Sequence, residues 1–220
     1  MVIANPPFSL EGWGRELWEN DPWGRAFAGL PTDSIGDMAW VQPMVASMAE
    51  GAGRMAVVLP QGALFRSGVE GQIRQHLLKS DLVEAVIGLA PNLFYGTGLA
   101  ACVLVLKRQK AQERQGKVLI VDASSQLRRS QAQNVLEPEH ATQIDGWVQA
   151  FADVEDRARV VCLEEVEQEG WSLNISRYDL PPSGLTSRRY PRRRRRSRKH
   201  WPNAVRLKTN CGATWKKGAG

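Results

Sequence analysis

The chain opens with Val2-Ile3-Ala4-Asn5-Pro6-Pro7-Phe8, a short apolar run that meets two consecutive prolines. Proline fixes φ and removes a backbone donor, so a strand over the first residues must stop at Asn5 and the chain must leave it in a stiff, extended turn. The same step leaves the carbonyls of Asn5 and Pro6 without a ladder partner. A side-chain amide, a free carbonyl and an aromatic ring then sit together at the carboxyl end of a strand, where open α/β sheets bind ligands. That set suits a planar ring carrying an exocyclic amine: the Asn5 side-chain oxygen and the Pro6 carbonyl accept its two N–H bonds, and Phe8 stacks on the ring. The tripeptide also serves as a plain rigid strand exit, since Asn-Pro is a common turn signal.

The pattern downstream alternates strand and helix. A polar loop runs to Leu30 and carries Trp13, Trp18 and Trp23, whose rings can stack on bases or cover the loop's own small core. Residues 32–37 offer several N-caps, Asp37 among them, for a helix from about Met38 to Ala49 with Met38, Val41, Val45 and Met48 on one stripe. Pro43 inside that helix costs ~3 kcal/mol or a kink unless packing compensates. Arg54 to Leu59 reads as an apolar strand of the buried parallel kind. Gly68 to Leu78 reads as a helix with Val69, Ile73 and Leu77 inward, and Leu82 to Leu89 as the next strand. This repeat is the signature of a doubly wound α/β sheet.

Tyr95-Gly96-Thr97-Gly98 resembles a cofactor glycine turn only superficially. Such a turn leaves a strand and starts a helix, whereas this one leads into the strongly β run Ala101 to Leu106, so a hairpin-like loop is expected. Val118 to Val121 is a further strand, Glu137 to Phe151 a helix, Val160 to Cys162 a strand, and Leu163 to Glu169 an acidic helix.

The net charge of +6 hides a division along the chain. Residues 1–183 hold 16 Lys and Arg against 23 Asp and Glu, a net of −7, while 13 Lys and Arg and no acid follow from Gly184. The arginine-rich end can act as a nucleic-acid arm through counterion release. It can equally be a tail unrelated to the body, and its composition predicts disorder. Cys102, Cys162 and Cys211 are odd in number and have no metal spacing, which fits a reduced cytoplasmic setting and no metal site. No apolar run approaches the ~20 residues of a membrane helix.

Three separated motifs, Ile3 to Phe8, Arg54 to Gly62 and Leu89 to Gly98, resemble in order those of the N6-adenine DNA methyltransferases. The similarity is to the modification subunits of type I restriction systems and extends to about Tyr178. It implies an α/β fold, the C-terminal part of a Rossmann-like class I AdoMet-dependent methyltransferase sheet. It implies catalytic roles for Asn5, Pro6, Pro7 and Phe8, a base-holding role for Phe94 or Tyr95, and a place for Asp37 near the cofactor, S-adenosyl-L-methionine. It implies as partners double-stranded DNA, a specificity subunit and a restriction subunit, with no membrane. In that family the glycine-rich cofactor loop precedes the catalytic motif, so the resemblance implies a truncated chain lacking it. It also makes strand 118–121 an edge element and Trp171 to Tyr178 a structural or partner-facing closing motif. The expected organisation is a partial catalytic domain over 1–122, an α/β extension over 123–183 and a basic tail over 184–220. The alternatives are a non-catalytic remnant binding DNA or a partner through that tail, and an amino methyltransferase acting on RNA or protein glutamine.

Overall fold

Six strands hydrogen-bond into one mixed sheet: β1 (Val2–Ala4), β2 (Arg54–Pro60), β3 (Val83–Leu89), β4 (Ala101–Lys107), β5 (Lys117–Ala123) and β6 (Ala158–Cys162). Their spatial order is β1-β2-β4-β3-β5-β6. This computed structural model describes residues 1–178 and Leu180; the basic tail lies outside them.

Strands β1 and β2 are parallel, β4 is antiparallel to both β2 and β3, β3 and β5 are parallel, and β6 is antiparallel to β5. Hence β1, β2, β3 and β5 all point the same way and deliver their exit loops to one edge of the sheet. Two sequence expectations are corrected here. Strand β2 lies between a parallel and an antiparallel neighbour, because β4 folds back between β2 and β3 instead of leaving them adjacent. Strand β5 is interior, flanked by β3 and β6, so its run Val118 to Val121 is fully buried.

Four helices cover the sheet: α1 (Asp37–Ala46), α2 (Val69–Lys79), α3 (Pro138–Ala150) and α4 (Leu163–Gln168). Met38, Val41 and Val45 of α1, Ile73 and Leu77 of α2 and Val166 of α4 join one core with Met55, Val57, Leu59 and Leu104. Ile144 and Val148 of α3 join a second with Ala85, Ile87, Leu89 and Val121. The alternating side chains of β3, β4, β5 and β6 feed these two cores on opposite faces. Helix α1 ends three residues before the expected Ala49, and Ser47 donates both its backbone N–H and its hydroxyl to the Pro43 carbonyl. Helix α3 is bounded as its sequence predicts, with Glu137 and His140 forming a reciprocal cap and Phe151 ending it in the left-handed region at φ 45°.

A carboxylate in the wholly buried β3 requires compensation. Glu84 sits at the bulge between Val83 and Ala85, with Arg114 at 3.2 Å, Arg54 at 3.8 Å and Lys107 at 4.0 Å.

The segment Trp171 to Tyr178 closes one face. Its Leu173 N–H donates to the Leu64 carbonyl at 2.8 Å, and a β-carbon on Gly88 would meet Ile175 Cδ1 at 2.3 Å, so the two surfaces are in intimate contact. Arg74, buried on α2, holds that closure and makes no ion pair within 4.0 Å among the described residues. Its Nε donates to the Trp171 carbonyl at 2.8 Å, and one terminal nitrogen donates to Ala63 and Arg66 carbonyls at 3.0 Å each. Burial lowers its pKa to about 10. Arg74→Lys keeps the charge but not the fork, leaving at least one buried carbonyl unpaired. Urea denaturation is expected to show a loss of about 2 kcal/mol.

Candidate active site

The candidate site is built where β1 stops. Asn5 is exposed, and no described residue hydrogen-bonds to its side-chain amide or to the Pro6 carbonyl. Pro7, exposed, carries the turn outward, and Phe8 folds back half-buried. Its ring meets Phe94 edge-on, with centroids 5.7 Å apart and planes at 65°. Edge-to-face packing fixes one ring against the other through their quadrupoles. Phe94 comes from the β3–β4 loop, where it bridges to Thr97 in the hairpin-like manner expected. Of the two aromatic candidates, Phe94 therefore stands beside Phe8, whereas Tyr95 is 95% exposed and points away from any core.

The residue after Phe8 is held by a network that local sequence did not reveal. Ser9 donates its backbone N–H to Asp37 Oδ1 at 2.7 Å and its hydroxyl to Oδ2 at 3.3 Å. Arg66 bonds the same Oδ2, Glu70 Oε2 at 3.0 Å and the Ser9 hydroxyl at 3.1 Å. The cap expected of Asp37 is corrected: Gly36 is the N-cap, and Asp37, the first helical residue, turns its carboxylate to Ser9 and Arg66 instead. Asp37 is 1% exposed. Burial raises the Glu70 pKa above the usual carboxylate value, with Arg66 acting in the opposite direction. Only the Arg66–Glu70 spacing of four residues was visible as a local signal.

The tryptophan loop divides. Trp13 is buried, donates its indole N–H to the Thr32 carbonyl at 2.9 Å, and packs edge-on against Trp18 at 5.7 Å. Gly36 is needed there, because a β-carbon would come within 2.8 Å of the Trp13 ring. Trp23 is 75% exposed, with the Arg25 guanidinium 4.9 Å above it. Buried Gln42 ties the loop to α1, accepting from Ala28 N–H at 2.9 Å and donating to the Gly29 carbonyl at 2.8 Å.

The Asp37 carboxylate is buried and committed to Ser9 and Arg66, and the strand-to-helix connections after β5 and β6 hold no glycine. No group of three or more metal-ligating side chains forms among the described residues. No helix there is long and apolar enough to cross a membrane.

Comparison with known proteins places this geometry. The family model for N-6 DNA methylases matches residues 1–183. The chain is 35% identical over 189 residues to the type I restriction enzyme MjaVII methylase subunit of Methanocaldococcus jannaschii, covering 82% of this chain and 32% of that protein. It is 30% identical over 188 residues to the HindI methylase subunit of Haemophilus influenzae, covering 80% and 41% respectively. The methyltransferase subunit of a type I restriction-modification system from Streptococcus thermophilus superposes with a TM-score of 0.73 at 31% identity, over 80% of this chain and 37% of that one. The sheet is therefore of the class I methyltransferase type, and the chain spans about a third of the length of the curated relatives it matches. On these matches the chain belongs to the N-6 DNA methylase family.

Proposed function

We propose that this chain supplies the base-accepting half of a type I modification subunit that transfers a methyl group to the N6 amine of adenine in duplex DNA. The observation that carries this is the uncommitted amide of Asn5 beside the free Pro6 carbonyl, at the exit of β1 and next to the Phe8–Phe94 pair. An exocyclic amine on adenine is a poor nucleophile because its lone pair is delocalised into the ring. Two fixed acceptors, Asn5 Oδ1 and the Pro6 carbonyl, accept hydrogen bonds from its two N–H groups, so the nitrogen can pyramidalise as positive charge develops. Acceptors aimed at developing charge lower the barrier more than they bind the ground state.

An adenine inside a duplex cannot reach such a pocket, so it has to be extruded at a cost of a few kcal/mol. Phe8 offers its face to the extruded base, and Phe94, edge-on, keeps that ring in place. Ser9, held by Asp37 and Arg66, fixes the turn that orients both. Asp37 thus acts as a positioning residue in this reading. The methyl donor of the family chemistry is S-adenosylmethionine. The partners that follow are duplex DNA, a specificity subunit that reads the target and a restriction subunit, in the cytoplasm.

The alternative of a non-catalytic remnant acting through its tail rests on residues outside the described region. A methylation-competent assembly built around this chain, given unmethylated duplex DNA and labelled donor, is expected to yield N6-methyladenine on nucleoside digestion. A labelled cytosine, or label in RNA or glutamine instead of DNA, would overturn the proposal.

A further inference from the structure

The parallel direction of β1, β2, β3 and β5 sets the loop after β5, residues 124–137, on the same sheet edge as Asn5. It is fastened to the loop that carries Phe94. The Asn134 backbone N–H donates to the Asn92 carbonyl and its amide to the Pro91 carbonyl, both at 2.9 Å. Gln133 donates to the Leu93 carbonyl at 2.7 Å, and Asn92 returns a bond to the Ala132 carbonyl at 3.4 Å. These bonds make the loop continuous with the candidate site, although at least 40 positions separate the partners.

The loop is also cationic on a body that is not. Arg128 is paired with Glu137, whereas Arg129 is exposed and has no ion-pair or hydrogen-bond partner among the described residues. With Ser124, Ser125 and Leu127, Arg129 lines an open depression of about 510 Å³. Arg157, at the start of β6 on the same edge, donates to the Ser125 hydroxyl. Residues 1–183 carry a net charge of −7, so the body as a whole repels a polyanion and attraction has to be local.

We infer that this loop is a second contact on the substrate duplex, with Arg129 meeting a backbone phosphate while the adjoining loop holds the extruded base. Four strand spacings, ~19 Å, separate β1 from β5, a span that a duplex lying along this edge covers within a helical turn. Phosphate contacts fix register and orientation without reading sequence, and here the clamp at Asn134 and Gln133 transmits that register to Phe94. The inference rests on the methyltransferase reading for the identity of the polyanion, but its test does not use methyl transfer.

The test is the salt dependence of duplex binding by the full 220-residue chain, followed by fluorescence anisotropy from low to moderate salt. Each phosphate contact contributes about 0.9 to the slope of log K against log salt. Arg129→Gln is expected to lower that slope by about 0.9. Lys117→Gln removes the same charge from the start of β5, at the opposite edge of the sheet, and is expected to leave the slope unchanged; the basic tail contributes equally to both variants. Equal slopes for Arg129→Gln and the parent, or equal losses for the two variants, would overturn the inference. A slope lost at Arg129, with no methyladenine made by the assembled enzyme, would keep this surface and reject the methyltransferase reading; an unchanged slope beside methylation by that assembly would reject the surface alone.

Discussion

Asn5→Ala is expected to lower methyl transfer to DNA about 10²–10³-fold, the range seen when a single preorganised group that stabilises developing charge is removed. Folding should be indifferent. The Asn5 side chain is exposed and bonds to no described residue, so its loss falls in the class of surface changes that alter stability by about 0.5 kcal/mol or less. Duplex binding should also persist, because the acceptor acts on the extruded amine and not on phosphate. The measurement is incorporation of labelled methyl groups by the assembled enzyme beside a melting curve of the same preparation. A variant that melts normally and keeps more than about a tenth of the parent rate would remove Asn5 from the mechanism, since one transition-state acceptor cannot be worth so little. Phe8→Ala should act more weakly, because stacking holds the base but does not touch the charge that develops on nitrogen.

Why the exposed turn at Asn5 was legible from sequence, and the contacts that hold it were not, is a question of range. The two prolines act on their own backbone, so the end of β1 and its exposed exit follow from covalent structure. Helix α2 shows an apolar stripe over Val69, Ile73 and Leu77, so its bounds were close to the mark. Strand pairing carries no such local trace. A strand buried on both faces reads as an apolar run whether its neighbours are parallel or antiparallel, and so neither the insertion of β4 between β2 and β3 nor the interior place of β5 could be read. The site divides in the same way. Phe94 was reachable as an aromatic in a glycine-bounded loop. Its partner Phe8 lies 86 positions earlier in sequence, and Ser9 meets Arg66 across 57 positions, distances over which no periodicity survives. Asp37 shows the hazard plainly: an acid at a helix start is a good cap by propensity, yet the half-buried Arg66 offers the carboxylate a stronger, charge-assisted partner.

Arg66→Gln should therefore be the most damaging substitution away from the reacting atoms, and its effect should depend on pH. Among the described residues Arg66 is the ion-pair partner of both Asp37 and Glu70, each buried. Removing one member of a buried pair strands the other, at about 3–5 kcal/mol; the Arg66 side chain is 25% exposed, so water entering its place holds the expected loss to about 3 kcal/mol. Burial already raises the Glu70 pKa, and Arg66 is what opposes it. Without Arg66 that pKa moves higher still. A carboxyl whose folded pKa lies above its unfolded value supports the fold while protonated and loses that support as pH rises through the folded value. The deficit of Arg66→Gln relative to the parent is thus largest at pH 7 and above, and shrinks on acidification towards the carboxylate range. Urea denaturation of both proteins at pH 7.5 and pH 5 reads it directly, and a deficit equal at the two values would show that charge is not the cause. Arg66→Lys restores a cation without the fork, so it should recover stability in part, while Ser9 remains without the second guanidinium nitrogen that now reaches its hydroxyl. Methyl transfer should then stay below the parent even where melting does not, because the turn bearing Phe8 has lost its tether.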